Sequence, residues 1–233
     1  MIDFKNELQK LGIELTSSQE VLFEKYYQAL IEANTHINLT AITEKNEVYI
    51  KHFYDSLLTV SPKEASGVMN LCDVGSGAGF PSIPLKIIYP HIEITIIEPT
   101  TKKVRFLEQL VLDLELKDVY FLNKRAEEAI ISLREHFDVV TARAVAKLDV
   151  LAELTIPFVK VGGKFISLKG HSYKEELEEA KGAISKLGGV IQGISEYDLP
   201  GSSGKRGLIT ITKVSKTNPI FPRRYALIKK KPL

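Results

Sequence analysis

The first third of the chain has the periodicity of helices. After Ser17 and Glu20, which have the spacing of a capping box, apolar residues recur every three or four positions over residues 21–33. This pattern predicts an amphipathic helix with one face turned toward a core. A second helix is predicted over Glu44 to Val60, and the segment Pro62 to Gly67 breaks the pattern.

From Val68 onward, short apolar runs alternate with helical segments, which indicates a parallel sheet covered by helices. The predicted strands are Val68–Val74, Glu93–Glu98, Val119–Leu122, Phe137–Thr141, Lys164–Leu168, Val190–Ser195 and Leu208–Val214. About a dozen residues without a helical pattern join the last two strands, so we expect these two to form an antiparallel hairpin.

The composition is that of a folded globular protein: 233 residues, 44% hydrophobic and 26% charged. This excludes a mainly disordered or fibrous chain. No apolar run is long enough to span a membrane, and the first ten residues lack the apolar stretch of a signal peptide, so we expect a cytoplasmic protein. Cys72 is the single cysteine, which excludes an intramolecular disulfide and a cysteine-based zinc site, and we expect no metal.

The charge is divided unevenly along the chain. Residues 1–198 carry 22 basic and 29 acidic residues, whereas residues 199–233 carry nine basic residues and no acidic one. Two interpretations explain this concentration of basic residues. The tail could bind a polyanionic partner, or it could fold back on the acidic body of the chain. The basic residues that flank Tyr225 are candidates for RNA contacts, with Tyr225 as a possible stacking ring. They are Arg223, Arg224, Lys229, Lys230 and Lys231.

A glycine-rich turn between the first strand and the next helix indicates a nucleotide or nucleoside site. Residues 69–79 read MNLCDVGSGAG, with glycine at 75, 77 and 79. A dinucleotide-binding loop would need glycine at position 80, but this position is occupied by Phe80. The following helix offers free N–H groups to a ligand.

Two acidic residues narrow the choice of ligand. Asp73 precedes the loop, where it would repel a pyrophosphate and attract a cation. Glu98 ends the second strand, where a carboxylate can accept both ribose hydroxyls of an adenosine. We therefore favour S-adenosylmethionine over a nicotinamide dinucleotide, and a glycine turn that binds nothing stays as the structural alternative.

Several further segments carry a resemblance to a known family. They are NLT at 38–40, HFYDSL at 52–57, DVGSGAGFPSIPLKI at 73–87, KKVRFL at 102–107, RAEE at 125–128, TARAVA at 141–146, LKG at 168–170 and RRYALIKKKPL at 223–233. Together they resemble the bacterial small-subunit (16S) ribosomal RNA guanine-N7 methyltransferases, the RsmG or glucose-inhibited division protein B family.

The resemblance implies an α/β, Rossmann-like S-adenosylmethionine-dependent methyltransferase fold. Its sheet would be mostly parallel and seven-stranded, ending in a C-terminal antiparallel hairpin. We expect an N-terminal helical extension over residues 1–66, a methyltransferase core over 67–215, and a basic tail over 216–233 packed on or near the core. The implied partner is small-subunit ribosomal RNA or the ribosomal subunit, with no membrane partner, and we expect a monomer.

The resemblance also assigns cofactor contacts. They fall on Gly75 and Phe80 in the loop, Ala126 and Glu127 after the third strand, and Arg143 after the fourth, with Glu98 at the ribose position. Gly77 and Asp73 are further cofactor-binding candidates, from the loop sequence itself. From the residues alone, Ala126 and Glu127 could equally be the start of a helix with an acid that suits its dipole. Arg143 could bind the methionine carboxylate or an RNA phosphate, or it could form an ion pair on the protein surface. Lys169 has the same alternatives.

Motifs that the sequence lacks narrow the choice of the atom that accepts the methyl group. The segment after the fourth strand begins Thr141-Ala-Arg-Ala and has no D/N-P-P-Y/F/W motif, which disfavours methylation of an exocyclic amine. Cys72 lies inside the first strand, where it cannot attack a pyrimidine carbon. Guanine N7 has no proton to remove, so positioning alone suffices.

The HFYDSL segment supplies candidates for that positioning. His52, Asp55 and Ser56 could orient the base, or they could be structural residues of a helix. The function that the resemblance implies, and with which these absences agree, is guanine-N7 methylation of ribosomal RNA. A noncatalytic RNA-binding regulator that senses an adenosine ligand is the alternative.

Overall fold

The computed structural model describes residues 3–68, 70–143, 146–201 and 205–233. Met69, in the predicted first strand, lies outside the described residues. So do positions 144 and 145 of the TARAVA segment and positions 202–204 of the hairpin connection.

Helices form the N-terminal part of the chain. They are α1 (Phe4–Lys10), α2 (Ser17–Asn34), α3 (Lys45–Val48), α4 (Asp55–Leu57) and α5 (Pro62–Ala65), with a π-helical segment over Tyr49–Tyr54 that joins α3 to α4. The helix predicted over residues 44–60 is therefore present as one continuous helical segment with a wider turn in its middle. The predicted cap of α2 was wrong by one position, because Thr16 and Gln19 form the capping box.

A seven-stranded sheet follows, in the order β3-β2-β1-β4-β5-β7-β6. Its strands are β1 (Asn70–Val74), β2 (Glu93–Ile97), β3 (Val119–Leu122), β4 (Phe137–Arg143), β5 (Val159–Lys169), β6 (Gly189–Tyr197) and β7 (Arg206–Lys213). The pairs among β1 to β5 are parallel, and β7 lies antiparallel between β5 and β6. The predicted mostly parallel sheet and the C-terminal hairpin are confirmed.

The remaining helices cover the sheet. They are α6 (Ser82–Ile88), α7 (Thr101–Asp113), α8 (Ala126–Leu133), α9 (Leu148–Thr155, continued by a 3-10 turn over Ile156–Phe158), α10 (Tyr173–Lys186) and α11 (Tyr225–Lys230). None of the described helices is both long and apolar enough to cross a membrane.

The start of β5 differs from the prediction by five residues, because the sequence pattern hides a bulge. The β4–β5 register shifts between Phe137 and Val139. Gly162 has a φ of 90°, and a Cβ on Gly163 would lie 2.7 Å from the carbonyl oxygen of Asp138. The two glycines permit the bulge, but in the sequence they interrupt the apolar pattern of the strand.

Two hydrophobic clusters fill the two sides of the sheet. One contains the N-terminal helices, through buried residues such as Phe23, Tyr26 and Phe53. The other contains α9 and α10, and it also takes Phe221 and Ile228 from the C-terminal segment. The N-terminal helices therefore pack on one face of the sheet, and the C-terminal segment packs on the other.

Candidate functional site

The loop between β1 and α6 has a backbone that requires glycine. Gly75, Gly77 and Gly79 have φ values of 75°, 64° and 103°, a region that other residues rarely adopt. A Cβ on Gly79 would lie 2.7 Å from the hydroxyl of Tyr26 and 2.7 Å from Ile83. The loop is thus pressed against α2 on one side and leaves its other side open to a ligand.

Glu98 directly follows β2 and borders this loop. One of its carboxylate oxygens accepts a hydrogen bond of 3.1 Å from the Gly77 N–H, and the other accepts one of 2.9 Å from Thr100. The side chain is buried, with 4% exposure. Each carboxylate oxygen keeps a further lone pair, so the expected role toward ribose hydroxyls fits this geometry.

Asp73 lies in β1 beneath the loop and not on a cavity wall, which differs from the position expected from the sequence. Its Oδ2 accepts a hydrogen bond of 3.3 Å from the Ser82 N–H. Its Oδ1 is buried and has no hydrogen-bond partner among the described residues. Burial raises the pKa of this carboxyl to about 6. An unpaired buried carboxylate oxygen below a glycine loop fits a cationic ligand above it.

A cavity of about 460 Å³ opens beside the loop. Seven of the candidate residues line it: His52, Asp55, Gly75, Gly77, Phe80, Arg143 and Lys169. Its wall is also formed by residues not proposed from the sequence, among them Leu39, Ile42, Lys51, Lys103 and Arg206. The structure therefore brings the glycine loop, the end of β4 and the HFYDSL segment together.

Asp55 is the centre of the polar contacts in this cavity. Its Oδ2 lies 3.2 Å from Nη1 of Arg143 and 3.3 Å from Nη1 of Arg206, and its Oδ1 accepts a hydrogen bond of 2.8 Å from the Tyr197 hydroxyl. The Asp55 side chain is fully buried. One carboxylate on the N-terminal helical segment thereby holds the ends of β4, β6 and β7.

His52 is held in a neutral state by its surroundings. Its Nδ1 lies 3.3 Å from Nη2 of Arg143 and 3.1 Å from the Lys51 carbonyl oxygen. Its Nε2 shares a hydrogen bond of 2.7 Å with Oγ1 of Thr40. Burial and the nearby Arg143 lower the pKa of His52 to about 3. Both ring nitrogens are thus engaged within the protein.

Phe80 joins these groups through its ring. The His52 ring is stacked on it at 4.6 Å between centroids, and Tyr26 is stacked at 5.5 Å. The guanidinium carbon of Arg143 lies 4.7 Å from the centre of the same ring. Phe80 replaces the third glycine of a dinucleotide loop, and it serves here as a packing surface for Arg143 and His52.

Four other candidates lie away from the cavity wall. Ser56 is buried and its hydroxyl donates to the His52 carbonyl at 2.6 Å. Ala126 and Glu127 begin α8, where Ala126 packs in the same cluster as Val74 and Ile97. Glu98 borders the loop without lining the cavity.

The basic candidates divide into paired and exposed residues. Lys169 donates to the Ala146 carbonyl at 2.6 Å and pairs with Glu176 at 2.8 Å. Arg223 binds the fully buried Glu153, with Nη2 to Oε2 at 2.6 Å and a second bond from its backbone N–H. Arg223 therefore belongs to the tail that folds back on the body. The exposed members are Arg224, Lys229, Lys230 and Lys231.

The sequence interpretation missed Tyr26, Tyr197 and Arg206. Tyr197 and Arg206 face each other in the β6–β7 register, and both reach Asp55. The sequence offers no local signal for them, because Asp55 precedes Arg206 by 151 positions. The described residues contain no group of three or more His, Cys, Asp or Glu side chains placed to hold a metal ion.

Known proteins resemble this chain in sequence and in fold. The family model described as GidB, rRNA small subunit methyltransferase G, matches residues 19–200. The chain belongs to this family. It is 46% identical over 228 residues to the ribosomal RNA small subunit methyltransferase G of Staphylococcus epidermidis, covering 97% of this chain and 95% of that protein. It is 48% identical over 238 residues to the protein of the same name from Limosilactobacillus fermentum, covering 99% and 97%.

Solved structures share the fold of this member of the methyltransferase G family. Cofactor-bound Rv0187 from MTB superposes with a TM-score of 0.61 at 16% identity, over 84% of this chain and 91% of that one. M. jannaschii TYW2 in complex with AdoMet gives a TM-score of 0.57 at 14% identity, over 73% and 78%. The predicted Rossmann-like methyltransferase fold is confirmed.

Proposed function

We propose that the chain transfers the methyl group of S-adenosylmethionine to N7 of a guanine in small-subunit ribosomal RNA. The observation that carries the proposal is the cavity in which the glycine loop meets Arg143 and Arg206. Such a cavity borders the loop expected to bind the cofactor and offers positive charge to a nucleic acid. Membership in the methyltransferase G family supports the same activity.

The chain's residues fit the cofactor in three places. The open side of the glycine loop allows close approach of a ligand to the backbone at Gly75 and Gly77. Glu98 borders the loop with acceptor capacity for ribose hydroxyls, and Asp73 places an unpaired carboxylate oxygen below it. When bound, S-adenosylmethionine supplies a methyl group activated by the adjacent sulfonium.

No described residue on the cavity wall is suited to remove a proton from the acceptor. His52 has a pKa of about 3 and both nitrogens engaged, and Asp55 is held by two arginines and a tyrosine. Guanine N7 attacks with an exposed lone pair and needs no base. The work left to the protein is to align the acceptor in line with the methyl group and to exclude water.

We expect Arg143 to bind an anionic group at this edge of the sheet. Its guanidinium is fixed by Asp55, His52 and the Phe80 ring, and it is only 13% exposed. A cation fixed on three sides loses little further freedom when it binds a carboxylate or a phosphate. Lys51, Lys103 and Arg206 extend the positive charge along the cavity wall.

Transfer of tritium from labelled S-adenosylmethionine tests the function. We expect label in RNA when small ribosomal subunits or naked small-subunit RNA are offered, and none in the protein alone. Cleavage with borohydride and aniline, which is selective for N7-methylguanine, should then locate the modified base. Label at another atom would contradict the N7 assignment.

A paired control separates loss of the site from loss of the fold. Gly75→Val should abolish transfer because the loop backbone cannot adopt its φ of 75° with a branched side chain. Gly182→Val, on α10 with open space around its Cβ position, should retain transfer. The alternative of a noncatalytic regulator gains no support from the family match, and binding of RNA without any transfer of label would favour it.

A further inference from the structure

The cavity wall has an apolar part beside its cations, formed by Leu39 and Ile42 together with Phe80 and Leu168. Leu39 and Ile42 lie in the segment between α2 and α3, and both are half-buried and line the cavity. Lys51 and Arg206 line the same cavity. An apolar surface beside positive charge suits a ligand with a flat apolar face and an anionic edge.

The segment that carries these side chains is held rigidly. Oδ1 of Asn34 accepts hydrogen bonds from the N–H groups of Leu39 at 2.9 Å and Thr40 at 3.0 Å. The Asn34 amide donates to the Thr40 carbonyl at 2.9 Å. Oγ1 of Thr40 accepts from the Ile42 N–H at 3.0 Å and bonds to His52 at 2.7 Å. A preorganised loop of this kind is typical of a binding surface, because little freedom is lost on binding.

The cavity wall includes the glycine loop but not the residues expected to contact the adenosine. Glu98, which suits the ribose of the cofactor, does not line it, nor do Ala126 and Glu127 at the start of α8. Gly75, Gly77 and Phe80 do line it. The cavity therefore extends from the loop away from the adenosine side, toward Leu39 and Ile42.

We propose that Leu39 and Ile42 form the subsite for the acceptor base, stacking on one face of a purine nucleotide extruded from the RNA. The proposal rests on the proposed function. Apolar side chains commonly hold a flipped base in this way, and its flanking phosphates would meet Lys51 and Arg206. The glycine loop then lies on the other side of the base, where the methyl group is delivered.

Steady-state transfer to small ribosomal subunits tests the subsite. Leu39→Ala and Ile42→Ala, made separately, should each lower kcat/KM for the subunit by roughly tenfold to a hundredfold, the usual loss for one stacking contact. Affinity for S-adenosylmethionine, measured by calorimetry, should stay within about twofold of the parent chain. Leu39→Phe should retain much more activity than Leu39→Ala, because the phenyl ring keeps a surface on which the base can stack.

Ile37→Ala is the matched control, since Ile37 is also half-buried and precedes the loop but does not line the cavity. It should leave kcat/KM nearly unchanged. The subsite is wrong if Leu39→Ala and Ile42→Ala behave like Ile37→Ala, or if cofactor affinity falls as much as kcat/KM does. Failure of the unmodified chain to methylate RNA would contradict the proposed function itself, and this control distinguishes the two failures.

Discussion

The hydroxyl of Tyr26 donates a hydrogen bond of 2.6 Å to the carbonyl oxygen of Ala78. Tyr26 belongs to α2 and Ala78 to the glycine loop, so this bond ties the N-terminal helices to the proposed cofactor site. Tyr26 is fully buried, and burial raises its pKa well above the ordinary value, so the hydroxyl stays a donor at every physiological pH. The conformation of the loop therefore depends on a helix outside the sheet.

Tyr26→Phe should lower the free energy of unfolding by about 1–3 kcal/mol, because it leaves the buried Ala78 carbonyl without its donor. S-Adenosylmethionine should bind more weakly as the loop loosens. Urea unfolding and calorimetry measure the two effects. Tyr27→Phe is the control, since the Tyr27 hydroxyl makes an exposed bond of 3.2 Å to Thr43 and its loss should have little effect. Equal behaviour of the two variants would contradict the role of Tyr26.

Binding of S-adenosylmethionine should strengthen as the pH rises through about 6. Burial in the folded chain raises the pKa of Asp73 from 3.8 to about 6, so the fold favours the protonated carboxyl. The stability that this protonation contributes is present at low pH and is lost as the pH rises through about 6. A cationic ligand favours the ionised form instead. Affinity at pH 5 should be roughly tenfold weaker than at pH 7.5 if the ligand restores an ordinary pKa.

Asp73→Asn supplies the control for this pH dependence. It should flatten the profile between pH 5 and pH 7, because it removes the titrating group near the loop. His52 does not titrate in this range, since its pKa is about 3. A profile that keeps its slope in Asp73→Asn would show that another group is responsible.

Glu98→Ala should weaken S-adenosylmethionine binding by roughly 1–3 kcal/mol, the usual loss when charge-assisted hydrogen bonds disappear. A 2′-deoxyribose analogue should lose less on the same substitution, because it already lacks one hydroxyl. Calorimetry with both ligands makes the comparison, and Glu93→Ala, at the exposed first position of β2, is the matched control. An equal loss for both ligands would contradict the ribose contact.

The C-terminal cations should separate into two functional groups. Replacing Lys229, Lys230 and Lys231 with Gln should make the slope of log affinity for RNA against log salt shallower by about 2, at roughly 0.7 per charge, with no change in stability. Cofactor affinity should not change. A filter-binding salt titration measures the slope, and an unchanged slope would exclude these lysines from the RNA site.

Arg223→Gln should lower stability without changing the salt dependence of RNA binding. It removes the cationic partner of the buried Glu153 carboxylate and leaves the bond from the Arg223 backbone N–H, so the free energy of unfolding should fall by roughly 3–5 kcal/mol with little change in the salt slope. Thermal and urea unfolding measure the loss. Stability equal to that of the parent chain would contradict a structural role for this ion pair.

Features set by neighbouring residues could be predicted before the fold was known. The glycine spacing at 75, 77 and 79 identified the loop, and Glu98 was correctly placed at the end of the second strand beside it. The short connection after β6 correctly predicted an antiparallel hairpin. These inferences succeed because backbone conformation, strand period and turn length are local properties. The predicted start of β5 was wrong because a pair of glycines interrupts the apolar pattern in the same way in a bulge as in a turn.

Contacts between distant segments required the tertiary structure. Asp55 meets Arg206 across 151 positions, and the hydroxyl of Tyr26 reaches Ala78 across 52. Arg223 looked like part of a uniformly basic tail until the fold placed the buried Glu153 against it. Whether an arginine faces RNA or a carboxylate depends on which side chains the packed helices and strands bring within about 3 Å, and no spacing along the chain encodes that distance.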